Sequence, residues 1–126
     1  MNFEESLVVE LSTILPDKIF PIQVRQDIAL PIMVFTLNSV NREMVMDGFD
    51  GLIDASYQLD IYHNHYTSLK TLMDTIIQKL KTFNFRTLAT TGVYCQSLFI
   101  EDEVETYDPT VNEYQGTIDI QVSYQE

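Results

Sequence analysis

Histidine and carboxylate side chains come together at one place in this sequence. His63 and His65 flank Asn64, and Asp60 lies three residues before the pair. Two imidazoles two residues apart at a strand end can point to one side, and with a nearby carboxylate they could hold a transition metal. A small metal-dependent hydrolase using Asp60, His63 and His65 is the enzymatic reading this cluster permits. Three candidate ligands leave the coordination shell incomplete, however, and neither Cys-x-x-Cys nor His-Glu-x-x-His spacing occurs. Solvated turn histidines are the simpler account, and no metal ligand is assigned.

The other reactive residue types offer less. The acidic stretch Glu101-Asp102-Glu103-Val104-Glu105-Thr106-Tyr107-Asp108 could attract calcium, but it lacks the Asp-x-Asp-x-Asp-Gly order and closing Glu of a calcium loop. Its charge density and the following Pro109 predict a solvated loop. Cys95 is the single cysteine, which excludes an internal disulfide. Pairing with a histidine would make it a nucleophile, but its apolar surroundings predict a small buried hydrophobe instead. No Gly-x-Ser-x-Gly turn and no Gly-rich phosphate loop occurs among four glycines. The expectation is a non-enzyme with no catalytic residue and no cofactor.

The elements that would position these residues follow from periodicity. Phe3, Leu7, Val8, Leu11, Ile14 and Leu15 recur at helical spacing, Asn2 and Glu5 form a capping box, and Pro16 ends the helix. Ile19 to Val24 and Pro31 to Val40 read as strands whose prolines suit edges or entry points. Asp47-Gly48 and Asp50-Gly51 predict turns, so residues 41 to 55 read as a long loop or loose hairpin. Ser56 to His63 alternates as a half-buried strand. From Tyr66 to Phe83 the period becomes 3.6, with Asn64 a candidate cap and Lys79 and Lys81 favouring the carboxyl end of the helix. Val93 to Ile100 and the strictly alternating Tyr114 to Gln125 complete the set. The predicted fold is α+β: a mainly antiparallel, mixed sheet of about four to six strands with two amphipathic helices on one face.

Length and charge narrow the function. At 126 residues the chain has room for one domain, and no apolar run approaches the ~20 residues that cross a bilayer. No signal peptide is evident at the amino terminus, so a cytoplasmic place of synthesis is expected. Seven basic against nineteen acidic residues give a formal charge of −12, with no Lys or Arg after Arg86. Such a balance argues against clamping nucleic acid or an anionic membrane, because both depend on cationic side chains. Residues 41 to 55 also carry Met44, Val45, Met46, Phe49, Leu52 and Ile53, more apolar surface than a solvated loop displays. Either these residues belong to an unrecognised strand that feeds the core, or they form an oligomer or partner interface. Met44, Val45, Met46 and Phe49, together with Val104 and Tyr107, are the candidate interface residues.

Tyr57-Gln58-Leu59-Asp60-Ile61-Tyr62, followed by the helix from Ser68 to Leu80, resembles the tail terminator, or tail-to-head joining, proteins of long-tailed bacteriophages. The opening helix, the Leu30 to Phe35 strand, the Asp-Gly segment and the closing strand after an acidic, Tyr-rich stretch agree in order across nearly the whole chain. These are patterns of fold, without a catalytic signature. The resemblance implies a virion protein of the tail or neck, assembled in the host cytoplasm as a homo-oligomeric ring, commonly a hexamer. Such a ring ends polymerisation of the tail tube protein and meets the head-side connector protein. DNA would pass without being tightly bound, past an acidic lumen for which Glu101, Asp102, Glu103 and Glu105 are the candidates. Another neck component or a tail-tube-like subunit on a similar scaffold is the alternative structural reading.

Overall fold

The computed structural model describes residues 2–21, 31–45 and 48–125, with the backbone alone described at 42–45 and 48–52. Helix α1 (Phe3–Leu11) starts on the expected capping box: Glu5 N–H donates to Asn2 Oδ1 at 2.8 Å, and Asn2 N–H donates to Glu5 Oε1 at 3.3 Å. Phe3, Leu7 and Leu11, spaced by four, face inward and are buried. Helix α2 (Tyr66–Lys81) buries Leu69, Met73, Ile76, Ile77 and Leu80. Its N-cap is His65, whose side chain makes no capping bond, so the expected cap by Asn64 does not form.

Among the described residues, six strands form one mixed sheet: β1 (Ile19–Pro21), β2 (Ile32–Val45), β3 (Gly48–His63), β4 (Arg86–Thr87), β5 (Tyr94–Asp108) and β6 (Glu113–Gln125), in spatial order β1-β2-β3-β6-β5-β4. Only β1–β2 is parallel. Pro21 lies on β1, the outermost described strand on that side, a position that proline tolerates. The expected continuation of that strand to Val24 lies outside the described residues.

Alternation decides which face is covered. Ile53, Ala55, Tyr57, Leu59 and Ile61 of β3 lie opposite Tyr124, Val122, Ile120, Ile118 and Gly116 of β6, and all of these are buried on the face that carries both helices. Phe3 of α1 lies with its ring centroid 5.1 Å from Tyr57 and 4.9 Å from Tyr124. The Tyr57 hydroxyl donates to Glu4 Oε2 at 3.1 Å. At 116 the absence of a side chain lets α2 approach, since a Cβ there would lie 2.2 Å from Met73 Sδ. Each large side chain buried in this layer stabilises the fold by about 1.5–3 kcal/mol relative to exposure.

One carboxylate ties the helices to the segment that follows α2. Glu10, 8% exposed, accepts from both terminal nitrogens of Arg86 at 2.9 Å and from Ala89 N–H at 2.6 Å, with Lys79 Nζ at 3.3 Å. Arg86 also donates to Thr82 O at 2.7 Å. The Arg86 hydrogen bonds outweigh burial and hold the Glu10 carboxyl down at about 2.

Two expectations are corrected. Of the two readings of residues 41 to 55, the hairpin holds and the loop does not: β2 and β3 pair from Ile32↔Tyr62 to Val45↔Gly48, and Asp50-Gly51, expected to turn, lies inside β3. Ile53 and Ala55 join the core, as the unrecognised-strand reading requires. Nor is 101 to 108 a loop, because β5 continues through it and pairs with β6 as far as Asp108↔Glu113. Ladder hydrogen bonds to β6 hold this segment extended despite its charge.

Two stability measurements check these contacts. A Cβ at 92 would lie 2.1 Å from Ser6 Oγ and 2.7 Å from the Leu88 carbonyl oxygen, so Gly92→Ala should lose about 1–3 kcal/mol in chemical denaturation. Gly116→Ala should lose less, because the Met73 thioether can swing aside. Glu10→Gln should lose about 2–3 kcal/mol at pH 7. Since the folded value of Glu10 lies below the ordinary 4.5, its contribution is present above pH 4.5 and fades as the pH falls towards 2. The melting temperatures of wild type and Glu10→Gln should therefore converge over that window.

Candidate functional site

The structure does not bring Asp60, His63 and His65 to one point. Asp60 and His63 are an odd number of residues apart on β3, so the pleat sends them to opposite faces of the sheet. Asp60 is 7% exposed on the helix-free face, where it accepts from Gln58 Nε2, Gln115 Nε2 and Thr117 Oγ1 at 2.8–3.1 Å. Those bonds satisfy the carboxylate and lock two strands together. His63 Nδ1 lies 3.2 Å from the His65 backbone nitrogen and 3.1 Å from Asn64 Oδ1, contacts local to the turn. No group of three or more His, Cys, Asp or Glu among the described residues could hold a metal ion. The hydrolase reading through Asp60, His63 and His65 is thereby corrected. Cys95 is fully buried, and burial pushes its thiol up to about 11, well away from a thiolate nucleophile.

The acidic segment is divided between the two faces. Register shifts at Gln96 and Glu101 insert one extra residue each into β5 and so reverse which side chains face the helices. After the second shift Glu103, Glu105 and Tyr107 lie opposite Ile118, Gly116 and Tyr114 on the helix-bearing face. There Glu105 meets Lys70 at 3.3 Å. Asp102 and Val104 turn to the helix-free face with Phe99, and Asp102 lies directly opposite Asp119. Glu101 occupies the irregularity itself. Like charges opposite one another destabilise a strand pair, so β5 keeps this arrangement against its local preference.

Several surfaces suit assembly. From Thr36 to Val45 on β2, and from Ser97 to Asp108 on β5, no described strand pairs with the outward edge. The two edges lie at opposite sides of the sheet, and unpaired edges are templates for another chain. Val104 and Tyr107, expected at an interface, are 44% and 45% exposed. Met44, Val45 and Phe49 lie on the β2–β3 hairpin, but their side chains, and Met46 altogether, are outside the described residues. Periodicity had not singled out Phe99, 63% exposed, which lines a helix-free concavity of about 400 Å³ with Ser39, Asn41, Asp54, Gln121 and Ser123. Leu37 and Val40 are also exposed on the outer part of β2. A β-bulge is what brings Phe99 out, and the sequence carries no local signal for it.

No protein-family model and no curated protein matches the sequence. Among solved structures, the fold is similar to a chain described as "Virion of native gene transfer agent (GTA) particle", with a TM-score of 0.73 over 98% of this chain and 95% of that one. Sequence identity is 6%, so the likeness is one of fold.

The different roles of Asp60 and the histidines can be separated by substitution. Asp60→Ala strands Gln58, Gln115 and Thr117 and should lower stability by about 1–3 kcal/mol in urea titration. His63→Ala and His65→Ala should each stay within about 0.5 kcal/mol of wild type. A zinc-dependent rise in melting temperature that disappears with either histidine would contradict the assignment.

Proposed function

We propose that this chain is a structural subunit of a phage-type virion, acting as a tail terminator: it closes into a ring, ends growth of the tail tube and presents its other side to the head-side connector. The observation that carries the reading is the near-complete correspondence in fold with a chain of a gene transfer agent virion. It agrees with the phage resemblance carried by the Tyr57 to Leu80 segment. The task is one of shape and contact, without catalysis.

The surfaces suit such a subunit. A ring needs two different, complementary patches on each copy, and the margins of β2 and β5 that no described strand pairs lie on opposite sides of the sheet. A hexamer is the stoichiometry the family implies. The surplus of carboxylates suits a lumen that DNA crosses without adhering, since acidic walls do not displace phosphate counterions. Of the candidate lumen residues Glu101, Asp102, Glu103 and Glu105, Asp102 lies with Asp119 on the helix-free face, and Glu103 and Glu105 lie on the other. The virion tail or neck is the proposed location, after assembly in the host cytoplasm. No helix among the described residues is long and apolar enough to cross a membrane.

A neck component or tail-tube-like subunit on the same scaffold is the competing structural role, and self-assembly separates the two. Negative-stain images of the purified protein mixed with tail tubes should show closed rings and a cap at one tube end. Open-ended tubes formed by the protein alone would assign it to the tube, and rings that never engage tubes would remove the terminator role. Replacing Glu101, Asp102, Glu103 and Glu105 together by their amides should leave rings intact while slowing DNA passage in an infection assay. Unchanged infection would rule out that lumen.

A further inference from the structure

Phe85, in the turn from α2 into β4, is the most exposed large apolar side chain among the described residues, at 73%. Its backbone is left-handed, with φ 60°, a conformation that a bulky residue keeps only when its surroundings hold it there. Both neighbours do so. Asn84 Oδ1 accepts the Leu98 N–H at 2.8 Å, next to the fully buried Phe83. On the other side Arg86 pairs with Cys95 of β5, donates to Thr82 O at 2.7 Å and grips Glu10. Glycine would make the same turn without strain, and a ring so exposed adds little to the isolated fold. The turn therefore fixes a phenyl ring in position before any partner arrives.

A groove of matching character lies on the other flank of α1. It encloses about 420 Å³, is lined by Val8, Val9, Pro21 and Phe35, and is rimmed by Glu4 and Glu5. Helical spacing puts Ser6 and Glu10 on the flank that meets Arg86 and Val93, and Glu4 and Val8 on the opposite one. The helix thus stands between ring and groove, and no copy can seat its own Phe85. The charges are complementary. Glu4 and Glu5 bond only to neutral groups among the described residues, the Tyr57 hydroxyl and the Asn2 backbone. Lys70, Lys79 and Arg86 each meet a carboxylate, whereas the exposed Lys81 meets none among the described residues. Asn84 Nδ2 donates to Lys81 O at 3.4 Å, which keeps Lys81 in the same turn as Phe85.

We propose that the Lys81-Phe85 turn of one copy docks into the Val8-Val9-Pro21-Phe35 groove of a second copy, with the ring on the apolar floor and the ammonium against Glu4 and Glu5. Aromatic anchors of this kind dominate the centre of protein interfaces, and rim charges set orientation. Ring and groove are different patches, so the contact runs head to tail and closes into a ring of subunits when the rotation allows. This contact deepens the ring reading and rests on it, and the experiment separates the failure of one from that of the other.

The test is sedimentation velocity of the full chain across a concentration series. Wild type should associate beyond the monomer, Phe85→Gly and Val9→Arg should each weaken association at least about tenfold, and Lys81→Glu about threefold. Glycine suits φ 60°, and an arginine at 9 gains Glu5 one turn earlier, so both variants should keep the circular dichroism spectrum of the wild type. An equal mixture of the two is decisive. Phe85→Gly retains its groove and Val9→Arg retains its ring, so the mixture should give a 1:1 dimer and nothing larger. Rings that survive Phe85→Gly would overturn this contact and leave the terminator reading standing. Rings that need Phe85 but never cap tail tubes would support the contact and remove the terminator. A mixture that stays monomeric, or a monomeric wild type that loses tail-tube binding with Phe85→Gly, would overturn the assignment to a second copy.

Discussion

One-sided burial of β3 and β6 is the constraint on which the rest of this molecule depends. Every second residue of these neighbouring strands is apolar, and their registers place the apolar sets side by side. Both helices must therefore lie on a single face, and the other face is left to Asp54, Ser56, Gln58, Asp60, Thr117, Asp119 and Gln121. That second face is held by its own bonds, chiefly those converging on Asp60 and the one between Ser123 and Asp54. A sheet so arranged concentrates its stability in one layer and keeps the polar face and the strand margins for contact with other molecules.

The Glu10 carboxylate complements this layer at its edge. It links α1 to the end of α2, to β4 and to the residue at 89 that follows β4. Buried charges fix geometry more than they add net stability, and here the geometry concerns where β5 begins. Since β5 carries the outward edge, the acidic residues and Tyr107, the position of Arg86 governs how all of them are presented.

The helices, the central strands and the mixed α+β class were legible because periodicity reports burial directly: Phe3, Leu7 and Leu11 on one element, Ile118, Ile120 and Val122 on another. The outer halves of the hairpins were not. From Glu101 to Asp108 both faces of β5 are exposed, so no alternation marks the strand and its charge reads as loop. Asp50-Gly51 has turn chemistry, yet the ladder with β2 overrides it. Among candidate site residues, the exposure of Val104 and Tyr107 followed from their type and neighbours. The separation of Asp102 from Glu103 and Glu105, and the outward turn of Phe99, depend on two register shifts that no short-range pattern announces. Asp60 looked like a partner of His63 only because linear proximity hides the pleat.

The sheet order has a further consequence for the way the protein is made. β6 follows every other strand in the sequence but occupies the middle of the sheet, between β3 and β5. On the ribosome, the β2–β3 hairpin can zip as a local unit, and β5 must wait for its own partner. Until β6 has been translated, the inner margin of β3 is an open, apolar template. Insertion of this single strand then joins two hairpins, so commitment to the native topology waits for β6.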